Sequence, residues 1–180
     1  MKANGKLLAF FASVVWLVAN ASLFSAEAPA SFKVAEFTFQ RPAKWEWVEP
    51  TSTMRKAELK VTDAKGKAEV IFFDFGGGQG GGTKANIDRW LGQFQEPREK
   101  INAKTEEVAF GQRKATFVQA QGTYMSGMPG GPKTPLKDHA LLGAILESDA
   151  AKVFVRMTGP IEVVKGAESD FKKMIEGGLK

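Results

Sequence analysis

The sequence predicts an α+β fold, a mostly antiparallel sheet flanked by helices, on three observations. Apolar and polar residues alternate with period two in several short segments, which lie in pairs around Gly, Asp or Ser turns like the arms of half-buried hairpins. Two other segments repeat apolar residues every three or four positions, the stripe of an amphipathic helix. No internal repeat or composition break divides the chain, so a single domain is expected over residues 35–180.

The chain starts with a leader. Lys2 and Lys6 precede an apolar run over residues 7–19, and small residues follow, which reads as a signal peptide over residues 1–21. Ala19-Asn20-Ala21 and Ala26-Glu27-Ala28 are both candidate cleavage sites. Pro29 beside the second disfavours it, so cleavage is placed after Ala21, at the latest after residue 28, with residues 22–34 as a flexible lead-in. The run is shorter than the ~20 residues that span a bilayer, which argues against an uncleaved anchor. No second run of that length occurs, so no stable membrane anchor remains after cleavage, and the protein is expected in the periplasm or outside the cell.

Composition narrows the chemistry. The chain has 25 Lys and Arg against 20 Asp and Glu; without Lys2 and Lys6 the basic count is 23 and the net charge +3, spread without a basic cluster. Nucleic acid is therefore not an expected partner. The absence of cysteine excludes disulfides, thiolate catalysis, cysteine zinc sites and a lipidated cysteine. An exported domain of this kind must be held by its core alone.

In chain order, residues 35–39 alternate, Arg41-Pro42 breaks the pattern, and Trp45-Glu46-Trp47 resumes it with both tryptophans on one face. Such a pair either packs inward or stacks sugars, and the inward reading is preferred because aromatic area stabilises chiefly when buried. Residues 54–61 form a strand with Ala57, Leu59 and Val61 on one face, and Lys65-Gly66-Lys67 turns it into the apolar strand of residues 70–75. A glycine loop, residues 76–82, leads to a helix with Ile87, Trp90, Leu91 and Phe94 on one stripe, Thr83 as its cap and Pro97 as its stop. Residues 104–110 and 114–121 pair around Gly111-Gln112, and residues 140–147 and 152–157 around residues 148–151. Thr158-Gly159-Pro160 opens a last helix with the stripe Val164, Ala167, Phe171, Met174 and Ile175, closed by Gly177-Gly178. Residues 122–138 are too rich in Gly and Pro for regular structure and read as a long loop, of a kind that is usually functional or disordered.

Six of the seven residues in the 76–82 loop lack a Cβ, which lets backbone amides near a helix start approach a ligand closely. Gly76, Gly78 and Gly81 satisfy GxGxxG, but no acidic residue follows at dinucleotide spacing, and Gly82-Thr83-Lys84 lacks the P-loop order. A flexible or tightly turned connection is the preferred reading of these glycines over an anion or nucleotide site. Gly78, Gln79, Gly80, Thr83, Asn86 and Arg89 are the binding candidates here, and Tyr124, the sole tyrosine, is the candidate in the long loop. Met125, Met128 and His139 could suit copper(I) as soft ligands, yet methionines are common gap-fillers and no cofactor is expected. No GxSxG, HExxH or EF-hand motif appears. Asp74 and Glu147 remain as an acid and base pair for hydrolysis if they converge, but a structural reading, as ion-pair partners of Arg55, Arg89 or Arg156, is preferred.

The order of elements, with Pro42-Ala43-Lys44-Trp45 after the first strand and Thr158-Gly159-Pro160 before the last helix, resembles the PsbP-like superfamily. That resemblance implies an α/β/α sandwich and a non-catalytic, accessory style of function, and transfers no functional residue. The 76–82 loop followed by Ala85-Asn86-Ile87-Asp88-Arg89-Trp90 also looks like a motif of uncharacterised exported bacterial proteins. The function expected is an exported binding or accessory domain that docks on a protein or other cell-envelope component through the 76–82 and 122–138 loops. The alternatives are a small-anion or ligand carrier using the glycine loop, and a two-carboxylate hydrolase.

Overall fold

The computed structural model describes residues 28–50, 52–76, 79–127 and 130–180. The signal peptide expected over residues 1–21, and Gly78 and Met128, lie outside the described residues. Strands β4 (Arg55–Asp63) and β5 (Gly66–Asp74) form a hairpin in which Asp63 Oδ1 accepts the Lys65 amide at 2.6 Å. Outside β4 lies the short strand β3 (Glu46–Val48). Strands β6 (Lys104–Phe110), β7 (Arg113–Ser126), β8 (Thr134–Glu147) and β9 (Lys152–Pro160) pair in succession, and β9 then pairs with β5. The sheet order is β3-β4-β5-β9-β8-β7-β6, antiparallel throughout, so the last strand in sequence occupies its middle. A separate hairpin, β1 (Ser31–Val34) and β2 (Phe37–Gln40), turns at Ala35 with φ +51.

Period-two alternation divides the sheet into two unlike faces. On the front face Ala57, Val70, Phe72, Val155, Leu142 and Phe117 meet helix α2 (Ile161–Gly178) and the β1–β2 hairpin. Val164, Ala167, Phe171, Met174 and Ile175 are all buried there, as the stripe predicts. Strand β9 ends on Pro160, which is also the N-cap of α2, so strand passes into helix without a loop. On the back face helix α1 (Thr83–Leu91) and Phe94 and Ile101 beyond it pack on Val118, Leu141, Ile145 and Phe154. The fold is thus the expected α+β sandwich, its antiparallel sheet flanked by helices. Among the described residues, no helix is long and apolar enough to cross a membrane.

Four expectations need correction. Residues 31–34 are a strand, with Val34 buried and Phe32 stacked 5.5 Å from Phe39, so the lead-in ends sooner than residue 34. Thr83 is the first helical residue and Gly82 the N-cap. The helix stops at Gly92, well before Pro97, because the following backbone bonds to β7 instead: Gln95 N to Thr123 O at 2.9 Å and Met125 N to Gln93 O at 2.7 Å.

The largest correction concerns residues 122–138. β7 runs on to Ser126 and β8 begins at Thr134, so most of this stretch is a paired arm. Pairing shifts between Gly122 opposite His139 and Tyr124 opposite Leu136, with Asp138 at φ +54 absorbing the extra residue of a bulge. Pro135 is tolerated because β9 reaches only as far as His139, leaving that edge of β8 without a neighbour. The tryptophans follow the inward reading: Trp45 is buried, and Trp47 packs 5.3 Å from Phe32 while its indole donates to Glu49.

Candidate functional site

The described residues of the glycine loop are held down rather than held open. The Gly76 amide donates to Asp74 Oδ1 at 2.8 Å, and the Gln79 amide to Gly76 O at 2.9 Å. Gly80, at φ +99, crosses directly over aromatic rings: a Cβ there would come within 2.7 Å of Phe75 and 2.8 Å of Phe154. Asn86 is buried, its amide group donating to Gly80 O at 2.8 Å and Gly82 O at 3.0 Å while its oxygen accepts Arg89 Nη1 at 2.9 Å. Asn86 is thus saturated by the loop that it fastens. Gln79 and Arg89 are exposed, and the Thr83 hydroxyl bonds the Glu147 carboxylate.

The acid and base candidates point away from each other. Asp74 shares a rung with Val153 and Leu146, both in the front core, whereas Glu147 pairs with Lys152 one residue out of phase and so lies on the back. Successive residues of a strand face opposite sides, so these carboxylates cannot meet across one cleft. Glu147 is instead an ion-pair anchor, 2.9 Å from Lys152 and 3.9 Å from Lys114. Burial pushes its carboxyl up, but the Lys152 ammonium, the Thr83 hydroxyl and the Lys114 charge outweigh that and hold it below the usual carboxylate range.

The two predicted docking loops lie at opposite ends of the sheet. Asp74, entering the glycine loop, pairs with Val153 at the start of β9, whereas the arm leaves the sheet beside Pro160 at its end. Seven residues of strand span roughly 23 Å. Tyr124 therefore joins none of the glycine-loop residues. It is buried against Phe94, with ring centroids 5.6 Å apart, and its hydroxyl meets Gln93 Oε1 at 3.0 Å. Arg156 Nη1 donates to the same oxygen at 3.1 Å. Burial raises the Tyr124 phenol above its ordinary range, with the Arg156 charge acting the other way.

A further site lies on the front face, where α2 leaves the edge of the sheet uncovered. Ala115 and Phe117 of β7 belong to the front core, but the next two residues on that side are Gln119 and Gln121. They floor a groove of about 580 Å³, with Asn102 and Lys104 on one wall and Val164, Lys165 and Glu168 on the other. The volume is that of an ordinary ligand site. Among the described residues neither glutamine side chain is hydrogen-bonded, and Lys104 and Lys165 have no carboxylate partner. Beside them Lys172 bridges Glu106 at 3.1 Å and Glu168 at 3.3 Å, which ties α2 to β6. The sequence does carry a signal for this groove, since one face of β7 changes from apolar to carboxamide residues while Val118 and Ala120 keep the other face apolar.

No protein-family model matches the chain, and no curated protein matches it. Among solved structures it is similar to a Pseudomonas aeruginosa protein of unknown function, with 10% identity and a TM-score of 0.45 over 81% of this chain and 92% of that one. It is likewise similar to the solution structure of cyanobacterial PsbP (CyanoP) from Synechocystis sp. PCC 6803, with 10% identity and a TM-score of 0.49 over 84% of this chain and 94% of that one.

Proposed function

We propose that the protein is an exported, non-catalytic binding domain that docks on a cell-envelope macromolecule through the groove between α2 and the β6–β7 edge. The observation that carries this reading is the groove itself, with its carboxamide floor and two lysines that have no carboxylate partner among the described residues. Carboxamides both donate and accept, so Gln119 and Gln121 suit the hydroxyl and amide groups of an envelope polymer. The signal peptide expected over residues 1–21 supports the compartment. In this reading the glycine loop is scaffold, because Asn86 and the Phe75 and Phe154 rings occupy it from within.

The test is co-sedimentation of the mature chain, Ser22 onward, with isolated envelope material. Replacing Gln119 and Gln121 together by alanine is expected to weaken binding roughly tenfold, from two hydrogen bonds of about 1 kcal/mol or less each. Replacing Gln79 by alanine should leave it unchanged. Binding that is insensitive to the groove and lost with Gln79 would return the docking surface to the glycine loop.

A further inference from the structure

On the back face, the rungs of the sheet change character from one side to the other. One runs Glu46, Lys60, Glu69, Thr158 and Leu141; the next runs Val48, Glu58, Ile71, Arg156 and Gly143. Charged groups are interleaved with Val48 and Ile71 on the β3–β4–β5 side, and apolar groups take over where α1 lies on β8. Arg156 stands at that boundary, half-buried. Of the charged residues on these two rungs, Glu58 pairs with Arg55 at 2.7 Å and Lys60 with Glu46 at 3.5 Å, while Glu69 makes no ion pair among the described residues. Among the described residues Arg156 makes no ion pair; its one hydrogen bond is to the neutral Gln93, and its Nε is buried without any partner. A buried guanidinium donor left empty is costly, because it has surrendered water and received nothing.

We propose that Arg156, with the Tyr124 hydroxyl and the Gln93 carboxamide, forms an oxyanion subsite that takes a carboxylate or phosphate group of a small ligand. The three side chains come from β9, from the arm beyond the bulge, and from the segment following α1, and they already converge on one point, Gln93 Oε1. An oxyanion would supply what the cluster lacks. Guanidinium and phenol are both donors, and at present they compete for a single amide oxygen. Gln93 can turn its NH₂ toward the anion while the anion accepts from Arg156 and Tyr124. Glu69, exposed and opposite Thr158 on the adjoining rung, sets a limit on the charge the site accepts and favours a singly charged group. The subsite lies on the face opposite the groove and does not depend on the docking function assigned there.

The experiment follows the guanidinium Nε–H resonance of Arg156 by NMR in the mature chain, assigned by its loss in Arg156→Lys. Acetate and inorganic phosphate are each titrated against chloride at equal ionic strength. A saturable shift is expected, with a melting midpoint raised by roughly 5–10 °C at about a hundred times the dissociation constant. The rise in midpoint should vanish in Arg156→Gln, and both responses should weaken in Tyr124→Phe, which keeps the charge. Response to acetate alone identifies a carboxylate ligand, and response to phosphate alone a phosphoryl one. The subsite is ruled out if neither anion shifts the resonance beyond chloride, or if Tyr124→Phe and a folded Arg156→Gln both raise their midpoints as the parent does.

Discussion

The two faces of the seven-stranded sheet are made from the same strands yet are finished differently. The front is closed by an 18-residue helix and a hairpin, and its core is continuous from Trp45 to Leu146. The back is closed by a 9-residue helix and a stretch of irregular chain, and beyond them it is left to charged residues. Burial of apolar area dominates stability, so the front should carry most of the folding free energy. The back can then accommodate a half-buried arginine with an empty, buried donor and a glycine pressed on rings. The difference teaches that, in this fold, stability and candidate chemistry are assigned to opposite sides of the same strands.

The largest effect should come from the front. Phe171 is fully buried in α2 and meets Phe117 edge-on with centroids 6.4 Å apart. Phe171→Ala should cost about 3–5 kcal/mol, read as a lower urea midpoint. A loss below about 1 kcal/mol would break the assignment of stability to that face. A smaller effect is expected behind. Gly143 leaves room for the six-membered ring of Trp90, and a Cβ there would strike it. Gly143→Ala should therefore destabilise by about 1–3 kcal/mol and change the near-ultraviolet circular dichroism as Trp90 tilts. If it does neither, α1 is not seated as tightly as the contact implies.

The smallest effect is electrostatic. Because the Glu147 carboxyl is held below its usual range in the folded state, its contribution is present above the unfolded carboxylate pKa and lost as pH falls through the folded one. Glu147→Gln should thus be less stable than the parent at neutral pH, by no more than about 1 kcal/mol for a partly exposed pair. The gap should close in acid. A gap that persists at low pH would mean that Glu147 acts by packing or hydrogen bonding and not by charge.

What the sequence made legible was periodic. Alternation in residues 54–61 and the stripes of both helices located the strands, the helices and the buried faces, because each depends on neighbours within a single element. Register was not legible. The arm formed by residues 122–126 and 134–138 hides behind Gly and Pro, whose usual meaning is a loop; the bulge at Asp138 that lets pairing continue leaves no periodic mark. The same gap left the site open. Asp74 and Glu147 both look like strand-end carboxylates in sequence, and only the pairing of Val153 with Leu146 shows that they face apart. The glycines were read first as a flexible or tightly turned connection and second as a ligand site, and neither reading foresaw that Gly80 uses its missing Cβ to lie on Phe75 and Phe154. Gln119 and Gln121 were the overlooked signal, since a polar pair continuing an apolar face marks where the helix above stops covering it.

The position of β9 also bears on how the chain is made. As synthesis proceeds from the N-terminus, β3–β4–β5 and β6–β7–β8 emerge as two antiparallel blocks with nothing to join them. Each presents a bare, apolar inner strand, β5 or β8, of the kind that recruits stray partners. Only when residues 152–160 arrive can both edges be sealed at once, and α2, following without a loop, then lies down over the seam. A chain ending before Lys152 should therefore be two adhesive halves and not a smaller version of the same protein.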